Sequence, residues 1–492
     1  MNKTWIRLLL FFLALYLICG GGHIYINDDR SEFNALQSWV EGRGFALDLI
    51  DGVPGRGEKT YSKYGYFCLV KSLPFYLFGK LFWPGYFQTT QSGDYPLGPY
   101  FWFCLQNAFW GAGAVLLFYL LAGKLFASIT ALILSLLFGL STMFLVYAKQ
   151  TYTEVFLTLA LLGSVYLLWF KPGRFAPWGA GILMGMALGL RPANLLYPLL
   201  CTLVLSFSPA DRRKLPAFWL PVLAFGLGYL GYNFYRFGDF LNFGYGGEKF
   251  SVPLLTGLYG LLLSPGKGIF LYNLLLIPAL WGMKELKSRS SQLFRLTLTL
   301  SCGMLLFYSK WWSWYGGHSW GPRFLLPVVP LLLLPLGFVL ESRRAKGWIY
   351  GLALTGCLLQ LPGVLICYQD YFFNTPSILP YPAQRIPDPL MDKINFNPAF
   401  SPLTGNCWTL TRILKINCGG FPQFNPQQAI AAGGKSLDFW WVRMKDYTPI
   451  KGSLNCLSAL LGLTALFSLA RLGKELCGRK EGSQGEAVNR AS

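Results

Sequence analysis

Two adjacent carboxylates, Asp28 and Asp29, stand directly after the first long apolar run of the sequence. A carboxylate fixed at the end of an apolar helix could accept the proton of a hydroxyl group, as general bases do in many enzymes. A structural interpretation is also open, in which the pair is ordinary interfacial charge or Asp29 forms an ion pair with Arg30. The sequence therefore indicates a candidate general base at Asp28 or Asp29 and does not choose between them.

Several basic residues lie at helix ends or in short loops where membrane topology disfavours positive charge. Each could reach the membrane surface or pair with an acid such as Glu154, Asp239 or Glu248. For the set as a whole we favour a shared anionic ligand, because Arg and Lys bind phosphate oxygens through charge-assisted hydrogen bonds. The set is Lys149, Arg191, Arg236, Lys249, Lys267, Lys310 and Arg323. The residues predicted to bind the phosphate are Lys63, Arg191, Arg236, Lys267 and Arg323.

Aromatic residues are concentrated between Lys310 and Arg323. Tryptophan and tyrosine often form a belt at the membrane interface, but the density of Trp in this stretch exceeds that of a belt. Aromatic faces beside hydrogen-bonding groups suit a sugar or a prenyl chain. A second segment, Tyr61–Gly65, adds a lysine between two tyrosines, although it could be a simple turn. The predicted contacts to sugar or acceptor are Tyr64, Trp311, Trp312, Trp314 and His318.

The composition is that of an integral membrane protein. Hydrophobic residues make up 53% of the 492 positions and charged residues 13%, whereas soluble domains have about 25% charged residues. Apolar runs of about 20 residues can cross a bilayer, and they are helical because a helix satisfies its own backbone hydrogen bonds. The net charge of +20 fits basic cytoplasmic loops and not nucleic-acid binding, since no soluble basic domain or zinc-finger spacing is present. We predict no cofactor and no metal site, without excluding a divalent metal.

Clusters of Lys and Arg alternate with the apolar runs and predict that both termini are cytoplasmic. Two long outer loops are expected. The first, 27–97, has amphipathic stretches at 30–42 and 66–82 that should lie on the membrane surface. The second, 369–452, is expected to form an irregular cap in which Cys407 and Cys418 could pair. We predict an all-α membrane fold of about twelve transmembrane helices, near residues 8–26, 98–122, 125–146, 152–170, 177–190, 193–208, 216–235, 269–283, 296–310, 324–340, 348–368 and 453–470. The predicted domains are a transmembrane catalytic domain (1–368), the cap (369–452), and the last helix with its tail (453–492).

A series of short motifs follows one another in a characteristic order over about residues 5–340. The main ones are Asp28-Asp29, Trp39-Val-Glu-Gly-Arg-Gly44, Tyr61-Ser-Lys-Tyr-Gly65, Gly189-Leu-Arg-Pro192, Tyr232-Asn-Phe-Tyr-Arg-Phe-Gly238, Leu263-Ser-Pro-Gly-Lys-Gly268 and Trp320-Gly-Pro-Arg-Phe324. Each motif is weak alone, but the order resembles that of the bacterial GT-C membrane glycosyltransferases. These are related to the protein O-mannosyltransferases and to the aminoarabinose transferases of lipid A.

The resemblance implies a GT-C-like bundle in a bacterial inner membrane and a polyprenyl-phosphate-linked sugar as donor. It implies an acceptor hydroxyl on a lipid, a glycan or a protein. In that family an acidic residue of the first outer loop is the proposed base. The spacing to Trp39 gives this role to Asp28, with Asp29 a near equal, because the family often has Asp-Glu where this chain has Asp-Asp. Two alternatives are a transporter or flippase for a polyprenyl-linked sugar and a surface-polysaccharide polymerase or ligase. The gathering of charge at the outer face favours an enzyme over a transporter, whereas the sequence signature of a polymerase or ligase overlaps that of the transferase and would differ only in the chemistry of the loops.

Overall fold

The structure is a computed structural model that describes residues 3–47, 52–90, 93–342, 346–372, 389–414, 436–443 and 450–489. Helices dominate these ranges. Those of at least ten residues are Thr4–Cys19, Asn27–Val40, Phe67–Phe82, Leu97–Ala122, Ser128–Ser141, Thr153–Trp169, Ala176–Leu188, Leu196–Leu205, Leu215–Phe237, Leu254–Leu263, Ser291–Lys310, Lys346–Leu365, Pro402–Ile413 and Lys451–Asn489.

Shorter helical pieces connect the long helices. The α-helical ones are Phe144–Ala148, Pro209–Arg212, Ile269–Tyr272, Leu276–Ala279, Met283–Arg289, Val329–Leu333, Leu336–Glu341 and Pro389–Phe396. The 3-10 turns are Arg56–Glu58, Pro192–Leu195, Leu280–Gly282, Arg323–Val328 and Pro398–Phe400.

Two small antiparallel sheets lie in the first predicted outer loop. The strands Ala46–Leu47 and Val53–Pro54 both pair with Thr60–Tyr61, so that Tyr61 lies opposite Ala46 on one side and Val53 on the other. A hairpin of Phe87–Thr90 and Gly93–Pro96 places Phe87 opposite Pro96. The amphipathic stretches predicted at 30–42 and 66–82 correspond to the helices Asn27–Val40 and Phe67–Phe82.

The structure confirms an all-α membrane protein. Within the described ranges, five helical segments are long and apolar enough to cross a bilayer, and they are Leu97–Ala122, Leu215–Phe237, Arg323–Glu341, Gly347–Leu365 and Lys451–Leu476. Shorter apolar helices accompany them at Thr4–Cys19, Ser128–Ser141, Thr153–Trp169, Ala176–Leu188, Pro192–Leu205 and Leu254–Leu263. The total of about twelve spans and the division at residues 368 and 452 stay predictions.

Two predicted helices differ from the structure for a local reason. The run 269–283 is not one helix, because the chain leaves helical geometry at Asn273 and continues in short turns. A helix that the sequence assignment placed in a loop, Leu254–Leu263, precedes it. The predicted helix 125–146 is interrupted at Thr142, which is extended and separates Ser128–Ser141 from Phe144–Ala148.

The helix Leu97–Ala122 forms the centre of the bundle. It packs against Thr4–Cys19, Phe67–Phe82, Ser128–Ser141 and Thr153–Trp169, and most of its side chains are buried. The first and last helices run side by side, and Glu475 accepts a hydrogen bond from Thr4 (2.6 Å) and pairs with Arg7. The start of the first helix and the Glu475 region of the last helix therefore lie at the same end of the bundle.

Part of the second predicted loop packs on the opposite end of the first helix. Trp440 is fully buried, and its indole Nε1 donates to the carbonyl of Leu17 at 2.7 Å. The buried ammonium of Lys149 lies 2.7 Å from a carboxylate oxygen of Asp438. The predicted pairing of Cys407 with Cys418 lies partly outside the described residues, because Cys418 is not among them.

Candidate active site

A cavity of about 480 Å³ opens where the first predicted outer loop meets the ends of several helices. Its walls are strongly aromatic, and its charged groups are three cations and one carboxylate. The lining residues are Lys63, Tyr64, Arg191, Pro192, Ala193, Leu195, Leu196, Leu199, Phe243, Tyr245, Glu248, Phe250, Phe307, Tyr308, Trp311, Trp312, Ser313, Arg323 and Phe324. Six of the twelve predicted site residues thus line the cavity together with apolar side chains: Lys63, Tyr64, Arg191, Trp311, Trp312 and Arg323.

One buried carboxylate holds two of the arginines. An oxygen of Glu154 lies 3.3 Å from Nη1 of Arg191 and 3.9 Å from Nε of Arg323. Glu154 begins the helix Thr153–Trp169, whereas the arginines follow the helix Ala176–Leu188 and begin the turn Arg323–Val328. The Nε groups of both arginines are buried without a hydrogen-bond partner among the described residues. The pair is thus fixed in place but keeps unused donors, which suits an anion with several acceptor oxygens.

Two motifs meet at this point through their glycines. The backbone N–H of Gly65 donates to the carbonyl of Leu190 at 2.9 Å, and that of Phe67 donates to Gly189 at 3.0 Å. A Cβ on Gly65 would lie 2.1 Å from the carbonyl oxygen of Gly189, so no larger residue fits without a shift. The contact brings Tyr64 under Arg191, whose guanidinium carbon lies 4.9 Å from the ring centre.

A second carboxylate joins the first loop to the tryptophan stretch, the aromatic segment between Lys310 and Arg323. Glu248 accepts from Nζ of Lys63 through one oxygen and from the indole Nε1 of Trp312 through the other, both at 3.2 Å. The backbone supports this arrangement, because the N–H of Trp312 donates to the carbonyl of Lys249 at 2.9 Å. The ammonium of Lys63 also lies 5.3 Å from the ring centre of Tyr245.

Asp28 faces the arginines. Its Oδ2 lies 3.9 Å from Nη1 of Arg323, and 31% of its side chain is exposed. Burial alone would raise the pKa of Asp28, but the charges of Arg323, Arg191 and Lys63 and an interaction with the Tyr64 side chain lower it below its usual value. Asp28 is therefore ionised at neutral pH and can accept a proton.

Asp29 points into the protein, away from this group. It is 2% exposed, and its Oδ2 has no hydrogen-bond partner among the described residues. Its pKa is raised to about 8, chiefly by burial and further by the nearby charges of Glu32 and Asp28. No ion pair between Asp29 and Arg30 forms in the described part of the chain, which corrects the structural interpretation of this pair. Asp28 and Asp29 therefore differ both in the direction of their side chains and in their pKa.

Two of the predicted phosphate ligands do not line the cavity. Arg236 is fully buried and donates to the backbone carbonyls of Ser62 and Tyr64, at 2.9 Å for the latter. Lys267 is also fully buried and donates to the carbonyl of Ser319 at 2.6 Å. Each cation satisfies backbone carbonyls of a segment that carries or borders the site. Their role in the structure is to position the Tyr61–Gly65 motif and the loop before Arg323.

The predicted site residues of the tryptophan stretch also fall into those that line the cavity and those that do not. Trp311 and Trp312 line the cavity, whereas Trp314 is 4% exposed and packs against Phe396. The imidazole of His318 stacks on Phe372 with ring centres 5.1 Å apart, outside the cavity wall. The predicted sugar or acceptor contacts Trp314 and His318 are therefore not part of this cavity, because the loop turns its later residues toward the bundle and the cap.

The sequence assigned no role in the site to Glu154 or Glu248 beyond possible pairing, and it did not single out Tyr245. Glu154 and Glu248 were detectable as acids at the edges of apolar runs. That Glu154 serves two arginines and Glu248 joins a lysine to an indole depends on contacts between segments far apart in the sequence. Tyr245 lies in an aromatic, glycine-rich loop with no distinguishing signal.

The structure also contains one group of side chains with the chemistry of metal ligands. Ligand atoms of His23, Cys367 and Asp438 lie within 4.8 Å of one another. The Asp438 carboxylate already contacts Nε2 of His23 and Nζ of Lys149, both at 2.7 Å, and accepts from the Tyr25 hydroxyl at 3.0 Å. These contacts use its oxygens to attach the described part of the cap, 436–443, to the bundle. A metal would have to compete with the Lys149 ammonium for this carboxylate.

Known proteins share this architecture. The sequence profile of the dolichyl-phosphate-mannose-protein mannosyltransferase family matches residues 69–191, which is about a quarter of the chain. The crystal structure of ArnT from Cupriavidus metallidurans bound to undecaprenyl phosphate superposes with a TM-score of 0.52 at 15% identity, covering 97% of this chain and 79% of ArnT. The apo ArnT structure gives 0.50 at 16% identity, with 96% and 76% covered. No curated protein sequence matches the chain.

The superposition extends over nearly the whole chain and agrees with the expectation drawn from the order of the sequence motifs. At such low identity it shows the fold and leaves substrate and residue roles open. The chain is a multi-pass, all-α membrane protein with the GT-C fold of the membrane glycosyltransferases.

Proposed function

We propose that this protein is a glycosyltransferase that moves a sugar from a polyprenyl-phosphate donor to an acceptor hydroxyl at the outer face of a bacterial inner membrane. The observation that carries the proposal is the juxtaposition of Asp28 with Arg323 and Arg191. A carboxylate able to take a proton lies beside guanidinium groups able to hold a phosphate. The GT-C fold and the undecaprenyl phosphate bound in the ArnT structure support the same donor class.

The proposed reaction uses these groups in one displacement with inversion. Asp28 takes the proton of the acceptor hydroxyl as the acceptor oxygen forms its bond to the anomeric carbon. The bond from that carbon to the phosphate oxygen breaks, and its electron pair leaves with the polyprenyl phosphate. Arg191, Arg323 and Lys63 stabilise the charge that develops on the phosphate. No nucleotide and no redox cofactor takes part.

The cavity has the composition that a sugar joined to a lipid requires. Trp311, Trp312 and Tyr245 offer aromatic faces and polar edges, which suit a sugar. Leu195, Leu196 and Leu199 form an apolar wall on the same cavity and would accompany the first prenyl units. The charged groups lie at helix ends near one face of the bundle, whereas coupled transporters place theirs near the middle of the membrane. This distribution supports an enzyme over a flippase.

The identity of the donor can be tested without knowing the sugar. Undecaprenyl phosphate, the leaving group, is titrated into the purified full chain and counted by native mass spectrometry. We expect binding that weakens at least about tenfold in Arg191→Gln or Arg323→Gln, because each removes a charge-assisted hydrogen bond. Lys59→Gln is the matched control, since Lys59 is an exposed cation of the first loop outside the cavity. Equal binding by all four proteins would contradict the proposal.

Transfer is then distinguished from transport by following the label. Membranes that contain the chain receive polyprenyl phosphate carrying a radiolabelled sugar. A transferase moves the label into a product that survives removal of the lipid donor. A flippase changes the side on which the intact donor is exposed and leaves the label on the prenyl lipid. The second outcome, without the first, would replace the enzyme by the transporter.

A further inference from the structure

A second cavity of about 570 Å³ lies at the far end of the helix Thr153–Trp169 from Glu154. A helix of this length spans about 25 Å, so the second cavity is separate from the candidate active site. It forms between the end of that helix and the starts of Ala176–Leu188 and Leu215–Phe237. Its basic lining residues are Lys171, Arg174, Arg213 and Lys214.

One of these cations is held by the protein and three are not paired. Lys214 donates to the carbonyl of Leu168 at 2.6 Å and to the carboxylate of Asp211 at 2.7 Å. Lys171, Arg174 and Arg213 have no carboxylate within ion-pair distance in the ranges that the structure describes. Arg174 stacks on the ring of Phe175 at 4.7 Å. The cleft therefore contains one lysine held by the protein and three cations without a carboxylate partner among the described residues.

Exposed aromatic side chains flank the basic residues of the cleft in the sequence. Phe175 is 68% exposed and Trp178 is 40% exposed beside the cleft, as is typical of rings at the level of lipid headgroups. Within the cleft, the indole Nε1 of Trp169 is buried and has no hydrogen-bond partner among the described residues.

We infer that this cleft binds the phosphate headgroup of an anionic membrane phospholipid. A basic cluster that only determines membrane topology would not need to line a cavity. Here cations from two loops meet around a cavity at headgroup depth, and basic pockets between transmembrane helices bind such headgroups. The site lies on the face that the distribution of Lys and Arg predicts to be cytoplasmic. The inference is independent of the proposed transferase activity, because it uses none of the residues of the outer cavity.

The test titrates phosphatidylglycerol, phosphatidylcholine or inorganic phosphate into the purified full chain and counts bound molecules by native mass spectrometry. The variant is Lys171→Gln/Arg174→Gln/Arg213→Gln. The matched control, Lys284→Gln/Lys287→Gln/Arg289→Gln, removes three cations of the helix Met283–Arg289, outside the cleft. This helix lies at the same end of the bundle, because the neighbouring Gln292 donates to Asp211 at 2.8 Å.

Wild type and control should retain phosphatidylglycerol in preference to phosphatidylcholine. The cleft variant should bind it about 100-fold more weakly, from about fivefold for each cation near the surface. The single variant Arg213→Gln should bind phosphatidylglycerol about fivefold more weakly than wild type. It serves as the test if the triple variant does not fold. Equal retention by all variants, or an equal loss in the control, would overturn the site. Inorganic phosphate that displaces phosphatidylglycerol at equal concentration would overturn the assignment to a lipid.

Discussion

The carboxylate of Asp28 and the guanidinium of Arg323 face each other with 3.9 Å between Oδ2 and Nη1. This distance exceeds that of a hydrogen bond, so the two charges interact without closing on each other. The ring of Tyr64 lies under Arg191, and Tyr64 also helps to lower the pKa of Asp28, so that it links the proposed base to the second arginine. Asp28 and the two arginines are therefore held close together, and both arginines keep an Nε donor without a partner among the described residues.

The first prediction concerns Glu154, which the two arginines share. Glu154→Gln should leave two buried cations without their common carboxylate. Removal of one partner from a buried ion pair typically costs about 3–5 kcal/mol. We expect a lower midpoint of thermal unfolding in detergent and weaker binding of undecaprenyl phosphate. Glu285→Gln, at an exposed carboxylate of another helix, should change neither quantity. Unchanged stability and binding in Glu154→Gln would show that the carboxylate does not organise the arginines.

The second prediction concerns the contact between Gly65 and Gly189. Gly65→Ala places a methyl group 2.1 Å from the carbonyl oxygen of Gly189, which must separate the Tyr61–Gly65 motif from Arg191. Overpacking of this kind typically costs about 1–3 kcal/mol, and we expect donor binding to fall because Lys63 and Tyr64 move with the motif.

The matched substitution is Gly231→Ala, in a helix where a methyl group would meet nothing within 4 Å. It should retain donor binding and should not destabilise the protein, since Ala is the better helix former. Parallel behaviour of the two variants in binding and thermal unfolding would refute the positional role of Gly65.

The third prediction concerns the pH dependence of Asp29. The pKa of this carboxyl is raised to about 8 in the folded protein from about 3.9 in an unfolded chain. The folded state therefore binds the proton more tightly, and this stabilisation is complete below about pH 4 and is lost as the pH rises toward 8. Asn resembles the protonated form, so Asp29→Asn should gain stability relative to wild type as the pH rises.

Thermal unfolding at pH 5.5, 7 and 8.5 measures this gain. We expect the difference between Asp29→Asn and wild type to grow across the series, while sugar transfer stays within a few-fold of normal. Asp239→Asn, at an exposed position, should show no such trend. A difference that is constant with pH would contradict the neutral state of Asp29.

The sequence was sufficient for the parts of the site that stand out against an apolar background. Asp28, Lys63, Arg191 and Arg323 are charges beside long apolar runs, and the structure brings them together. Arg236 has the same signal but points at backbone carbonyls. Its side-chain direction depends on how the helix Leu215–Phe237 packs against the first loop, which the sequence does not specify.

The helices also divide into those that the sequence specifies and those that depend on packing. Long runs such as Leu97–Ala122 were predictable from length and apolar content, because the bilayer sets both. The segment after Lys267 was not. Asn273 lies in a run that is apolar enough to be a helix, and the break at this residue becomes visible only in the packed structure.

The central claim is that Asp28 is the base that activates the acceptor. Asn retains the size of the side chain and much of its hydrogen bonding but cannot accept a proton. General base catalysis typically contributes about 10²–10⁴-fold, so Asp28→Asn should lose at least about 100-fold in the rate of transfer. Binding of undecaprenyl phosphate should persist, since Arg191, Arg323 and Lys63 are retained.

The decisive measurement is the initial rate of transfer of radiolabelled sugar from polyprenyl phosphate in membranes containing equal amounts of wild type, Asp28→Asn and Asp29→Asn protein. The account predicts loss of transfer in Asp28→Asn alone, with undecaprenyl phosphate still bound. Near-normal transfer by Asp28→Asn, at a normal protein level, would contradict it.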